Sequence, residues 1–288
     1  MKKMTKSSIA LSAVAILGLA GCADAGSETI VIGSQAYYSN EIVAEAYALV
    51  LEDAGFLVER QFSLGQRDVY VPAIVAGEVD LFPEYSGNLL QYFNPEASET
   101  SQEDVYNALV AALPEGLTAL TLSGASDQDS YNVTKEFAAA NNLVSIGDLA
   151  GLAKVTLGGP PELTGRPYGP QGLLTTYGVN VAFEATGETT VESLVAGLID
   201  MANVYSADPR IQQLGLVTLK DPQGLFLASN LVPIASEAVN ADARALINAI
   251  SLAMSAEDLV AMNVRSVEEQ LSAAVIARDW LVSKGLLN

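Results

Sequence analysis

The chain carries 288 residues, a formal charge of −20, a single cysteine and no histidine. The missing histidine removes His-based catalytic triads and the usual zinc sites, and one cysteine cannot close a disulfide within the chain. The excess of acids, 34 Asp and Glu against 14 Lys and Arg, argues against a nucleic-acid partner, whose phosphates demand clustered basic side chains.

Residues 1–21 differ in kind from the rest. Lys2, Lys3 and Lys6 form a basic start, Ile9 to Leu19 an apolar stretch, and small residues lead to Cys22. That is the pattern of a secretory signal, and the apolar stretch is too short to span a bilayer. Its ending, Leu19-Ala20-Gly21-Cys22, resembles the lipobox of bacterial lipoproteins. The likeness implies that Cys22 becomes the lipidated first residue of the mature protein; the alternative is an ordinary exported protein with a stray cysteine. Losing the three lysines takes the formal charge from −20 to −23. No later segment offers about eighteen unbroken apolar residues, so the lipid alone is expected to hold the body to the membrane, facing outside.

Residues 22–29 read as a short tether. Next, "TIVIGS" predicts a buried strand stopped by Gly33 and Ser34. "NEIVAEAYALVLEDAGF" carries the apolar stripe Ile42, Val43, Ala46, Leu49, Val50 of an amphipathic helix, with Asn40 as N-cap and Gly55 as stop. "LVERQFSL" predicts a strand, "RDVYVPAIVAG" a helix and "EVDLFPEY" another strand, the alternation of a parallel sheet covered on both faces. The grammar restarts with "AKVTLGG" (strand), "GPQGLLTTYG" and "VESLVAGL" (helices) and "IDMANVYS" (strand). Between the two blocks, residues 118–136 read as one crossing strand and residues 216–236 as its return. Ala241 to Leu287 read as helices that complete the first lobe.

One phrase is written twice. Val75 to Ser86, "VAGEVDLFPEYS", and Val195 to Ser206, "VAGLIDMANVYS", align without gaps and end on Tyr-Ser. Ligands of open parallel α/β sheets bind beyond the carboxyl ends of the strands. Tyr85 and Tyr205 are therefore expected on opposite walls of one cleft, one from each lobe.

These same residues carry a family likeness. "IVIGSQAYYSNEIVAEAYALVLEDAGF", "VDLFPEYSG", "TLGGPPELTGRPYGPQGLLTTYG" and "ANVYSADPRIQQLGLVTLKDPQGLFLASNLVP" resemble the substrate-binding proteins of ABC importers for glycine betaine, choline and carnitine, from about Ile30 to the C-terminus. The resemblance implies an α/β, two-lobed type II periplasmic-binding-protein fold, each lobe a mainly parallel sheet flanked by helices, joined by two hinge crossings. Lobe 1 is then residues 30–125 and 228–288, and lobe 2 residues 126–227. It implies delivery of a small osmoprotectant-type solute to a permease and its ATPase subunit, with no catalysis, cofactor or metal. The family's ligand box is a cage of tyrosines around a trimethylammonium group, which cannot donate hydrogen bonds and is best met by π faces. Tyr85 and Tyr205 match cage tyrosines, and Arg166 in "TGRPYG" matches the arginine that pairs with a ligand carboxylate. Asn88 stands at a polar selectivity position and Gln35 near a polar donor. Asp129 and Ser229 stand where cage tyrosines are common, with Tyr131 two residues from one of those walls. Tyr37 and Tyr38 offer replacement aromatic surface, with loop packing as their alternative.

Other classes remain open on residues alone. The same fold can bind a non-quaternary solute, for import or for sensing. A secreted hydrolase built on Glu78, Asp80 and Glu84 is chemically conceivable, although Glu78 reads as solvated and Asp80 as a strand or hinge group. Asp208 reads as an N-cap before Pro209, and Gly158-Gly159-Pro160 as a turn without a phosphate-binding pattern.

Overall fold

The computed structural model describes residues 29–287, so the lipobox-like segment lies outside the described residues. Strands β1 (Ile30–Gly33), β2 (Val58–Gln61), β3 (Leu81–Tyr85), β4 (Thr118–Ala119) and β10 (Leu231–Ala235) form one sheet in the order β2-β1-β3-β10-β4. Strands β5 (Asp129–Val133), β6 (Thr156–Gly159), β7 (Ala182–Ala185), β8 (Met201–Tyr205) and β9 (Val217–Thr218) form a second, in the order β7-β6-β8-β5-β9. The two orders are the same topology. In each sheet one strand runs against the rest: β10 is antiparallel to β3 and β4, and β5 to β8 and β9. Those two strands are the ones that enter from the other lobe. A chain arriving from the cleft side has to run away from it, whereas the parallel strands run toward it.

The crossing read as a single strand over residues 118–136 is broken up. It consists of β4, an extended stretch, β5, and then helix α5 (Lys135–Asn141), which Thr134 starts by accepting the Phe137 N–H at 3.1 Å. Within the extended stretch the outgoing and returning segments pair. Ser123 N donates to Leu231 O at 2.9 Å, Asp127 N donates to Ser229 O at 3.2 Å, and Ser126 bridges Asn230.

Helix α1 (Tyr38–Asp53) is buried on almost every face from Ser39 to Leu51. The C-terminal helices α9 (Ala241–Ala253), α10 (Ala256–Val267) and α11 (Ala273–Ser283) surround it, with Ile247, Ile250, Leu259, Ile276 and Leu281 in the same core. Gly55 ends the turn after α1 at φ +89°, a left-handed conformation that suits glycine. Asn40 is not the N-cap. It lies inside the helix, fully buried, where its side chain accepts the Gln35 N–H at 2.9 Å and donates to Pro83 O at 2.8 Å. Those long-range partners override its local capping preference.

The repeated phrase performs one structural task twice. Helices α2 (Arg67–Val75) and α7 (Thr190–Val195) end in Ala-Gly, with Gly77 at φ +74° and Gly197 at φ +70°. Three residues on, Asp80 fastens β1 and Asp200 fastens β6. Val31 N donates to Asp80 Oδ2 at 2.9 Å, and Thr156 N to Asp200 Oδ2 at 2.8 Å. A carboxylate taking a backbone amide in this way fixes the register of the neighbouring strand.

Candidate functional site

Between the two sheets lies a cleft of about 770 Å³, within the usual range for small-molecule sites. Its walls come from the carboxyl ends of strands in both lobes. Gln35, Tyr37 and Tyr38 follow β1, and Gln66 follows β2. Facing them are Pro160 and Glu162 after β6, Glu188 after β7, Asn203 and Tyr205 of β8, and Asp208 and Arg210 beyond it. The cations near the mouth are largely spoken for: Arg210 pairs with Asp208 at 2.6 Å and with Glu192 at 3.0 Å. Asp208 also accepts the Arg210 N–H at 2.9 Å, although the short helix starts at Arg210 with Pro209, not Asp208, as its N-cap.

Aromatic rings from both lobes meet in this cleft. Tyr37 and Tyr205 lie 5.1 Å apart between centroids, tilted by 44°, and Tyr38 packs edge-on against Tyr37 at 5.0 Å. Burial pushes the pKa of all three hydroxyls up, with Asp127 the leading charge against Tyr37 and Asp129 against Tyr205. They stay neutral phenols, so their rings keep the electron-rich faces that attract cations.

Deeper in, the walls narrow to a constriction of about 10 Å³ lined by Arg67, Asp129, Arg166, Tyr168, Asn203 and Tyr205 among others. Two donors here have no partner: Arg166 Nη2 and Asn203 Nδ2 are buried and make no hydrogen bond. A buried donor without an acceptor costs about 1–3 kcal/mol, and two beside one space mark a place where a ligand acceptor belongs. Arg67 is different. Its guanidinium grips Glu84 through Nε–Oε1 and Nη2–Oε2, both at 2.9 Å, in a fully buried pair. Among the described residues Arg166 has no such carboxylate.

Beside the constriction the lobes touch through Asn88. Its Nδ2 donates to Asp129 Oδ2 at 2.7 Å and to the Tyr168 hydroxyl at 3.2 Å, and its Oδ1 accepts from Ser229 Oγ. Sheet register sets this meeting, because Asp129 opens β5 opposite Tyr205, the last residue of β8.

Gln35, Tyr37, Tyr205, Arg166, Asp129 and Asn88 thus all line the cleft or the cavities behind it. Two expected wall residues do not. Tyr85 is 3 % exposed and belongs to the first lobe's core, and Ser229 is buried beneath Asn88. The rings of Tyr37 and Tyr38, where the loop after β1 enters α1, occupy the cleft wall on that side. Tyr131 restores no wall either. It sits in the second lobe's core, bonded to Tyr168 O and packed on Phe226 at 5.1 Å. Of the three hydrolase carboxylates, Asp80 holds Val31 and Glu84 holds Arg67. Sequence reading missed Tyr168, two residues past Arg166, and Asn203. The second was legible: strand alternation puts Asn203 on the same face as Tyr205.

Two lobes of like topology, with a cleft at their strand ends and unpartnered donors inside it, define a solute-binding protein of the type II periplasmic class. Its family is equally plain. The family described as "Substrate binding domain of ABC-type glycine betaine transport system" matches residues 28–283, and the chain belongs to it. The glycine betaine-binding protein YehZ of Escherichia coli K12 is 26 % identical over 274 residues, covering 88 % of this chain and 90 % of that one. The ergothioneine transport permease/ergothioneine binding protein EgtU of Helicobacter pylori G27 is 23 % identical over 270 residues. That match covers 89 % of this chain and 48 % of the relative, so the chain spans about half of its length. The crystal structure of a glycine betaine/carnitine/choline ABC transporter protein superposes with a TM-score of 0.74 at 20 % identity, covering 90 % of this chain and all of that one. Lactococcal OpuAC, closed on glycine betaine, gives 0.65 at 15 % identity over 89 % and 96 % of the two chains. These two likenesses bear on the fold.

Proposed function

We propose that the protein captures a betaine-type zwitterion, glycine betaine or a related quaternary ammonium compound, in the interlobe cleft. It delivers this solute unaltered to an ABC permease with its ATPase subunit, from the outer face of a membrane to which Cys22 is lipid-anchored. The observation that carries the ligand class is the pairing of opposite demands along one cleft. Tyr37, Tyr38 and Tyr205 offer π faces at the acidic mouth, while Arg166 Nη2 and Asn203 Nδ2 wait without acceptors at the inner end. A trimethylammonium group satisfies the first and a carboxylate the second.

Calorimetric titration with glycine betaine tests the reading. The wild type is expected to bind, and Tyr205→Ala to weaken binding about 2- to 30-fold, the equivalent of a π face worth roughly 0.5–2 kcal/mol. Solution scattering with saturating glycine betaine should show the bound form at least as compact as the free one. Absence of heat with every quaternary amine, while another solute raises the melting temperature, would reassign the cleft. For the anchor, Cys22→Ser is expected to move the protein from the membrane fraction into the soluble exported fraction. Unchanged membrane association of that variant would remove the lipid.

A further inference from the structure

One buried carboxylate behind the cleft wall belongs to neither the aromatic box nor the donor pair. Asp127 lies in the outgoing crossing, two residues before β5, and is 1 % exposed. Its Oδ2 accepts from the Tyr37 hydroxyl at 2.6 Å, reaching into the loop after β1 of the first lobe. Its Oδ1 accepts from Ala207 N at 2.8 Å, in the turn after β8 of the second. That turn is itself held by α10, whose Asn263 Nδ2 donates to Ala207 O at 3.0 Å. A single side chain at the hinge thus clamps a wall residue of the first lobe to the turn that follows the second lobe's β8, where Ala207 packs against the first lobe's core, and the clamped ring is the one that meets Tyr205.

We propose that Asp127 is a positioning residue that couples closure of the cleft, and with it solute capture, to uptake of a proton. The proposal rests on the cleft's being the solute site. No cation pairs with Asp127 among the described residues. The groups facing it are Tyr37 and Tyr38 at the start of α1, Tyr85 of β3, Tyr205 of β8, Asp129 of β5 and Asp208 after β8. Arg210, the guanidinium that lines the cleft, is spent on Asp208 and Glu192. Burial lifts the Asp127 carboxyl from 3.8 to about 7; Asp129 and Asp208 push the same way, and the Tyr37 hydroxyl and the Ala207 amide oppose them. Separating Tyr37 from the Ala207 turn would wet the carboxylate and return it toward its ordinary range. The sign follows. Below the ordinary value both forms carry the proton and closure is independent of pH. From there to about pH 7 only the closed form carries it, so closure takes up a proton and weakens as pH rises. Above that the full cost of burying the anion is in place.

The test is titration with glycine betaine from pH 5 to pH 8, in two buffers of different ionisation enthalpy. The wild-type association constant is expected to fall by about tenfold or more between pH 5 and 7, with up to one proton taken up per ligand near pH 5.5. Asp127→Asn should flatten that profile. Tyr37→Phe keeps the ring but removes the donor that favours the anion, so it should move the fall to higher pH. A profile that is flat in the wild type, or unchanged in both variants, overturns the proposal. A readout without ligand keeps it separable from the choice of solute. Relative to Asp127→Asn, the wild type's melting temperature should drop as pH rises from 5 to 8. If that drop occurs and glycine betaine does not bind, the latch stands and the solute assignment falls. If glycine betaine binds with no pH dependence, the latch falls alone.

Discussion

Glu84→Ala is expected to cost about 3–5 kcal/mol of folding stability, measured as a lower urea midpoint at unchanged slope. Glu84 is fully buried at the end of β3 and satisfies several groups at once. It takes two hydrogen bonds from the Arg67 guanidinium, one from the Tyr70 hydroxyl and one from the Tyr85 N–H. Removing it strands a buried cation, and an unpaired buried charge costs far more than a lost neutral contact. The double variant Arg67→Met with Glu84→Ala should recover part of the loss, because no charge is then left behind. Recovery stays partial, since the Tyr70 hydroxyl and the Tyr85 amide still lack their acceptor, at roughly 1–3 kcal/mol each. A single variant as stable as the wild type would show that water reaches Arg67 from the neighbouring cavity. The pair matters for function as well: with Arg67 neutralised by Glu84, Arg166 remains as the guanidinium at the constriction without a carboxylate.

What was legible in the sequence is what repeats or alternates. Strand and helix periods gave the βαβ order of both lobes, because each element has one face to bury. The doubled phrase was readable because its Gly and Asp do the same work at Gly77 and Gly197, and at Asp80 and Asp200. What sequence could not supply is what folds in front of a residue. Tyr85 and Tyr205 are equivalent along their strands, yet Tyr85 is buried in the first lobe's core and Tyr205 faces the cleft. Asn40 looked like a cap and proved to be a tie between a loop and β3. Ser229 looked like a missing wall, but it lies beneath Asn88, where a tyrosine would have no room without displacing the Asn88–Asp129 contact. The hinge carboxylate Asp127 left no sequence signal, because its partners lie 80 and 90 residues away.

Arg166→Ala is expected to weaken glycine betaine about ten- to a hundredfold and to leave choline, which lacks a carboxylate, nearly untouched. The figure follows from losing a charged hydrogen bond worth roughly 1.5–3 kcal/mol. Folding stability provides the internal control. Arg166 Nη2 is buried and has no acceptor in the protein, so deleting the side chain removes an unsatisfied donor and should not lower the urea midpoint. Arg166→Lys keeps the charge but loses the planar fork, and should fall between wild type and alanine for glycine betaine. Asn203→Ala, which removes the neighbouring orphan donor, should weaken glycine betaine in the same ligand-selective way but less, because its hydrogen bond is carried by one neutral partner. Equal losses for glycine betaine and choline in the arginine variant, together with a lowered urea midpoint, would mean that Arg166 braces the lobe. The two buried donors would then be waiting for something other than a carboxylate.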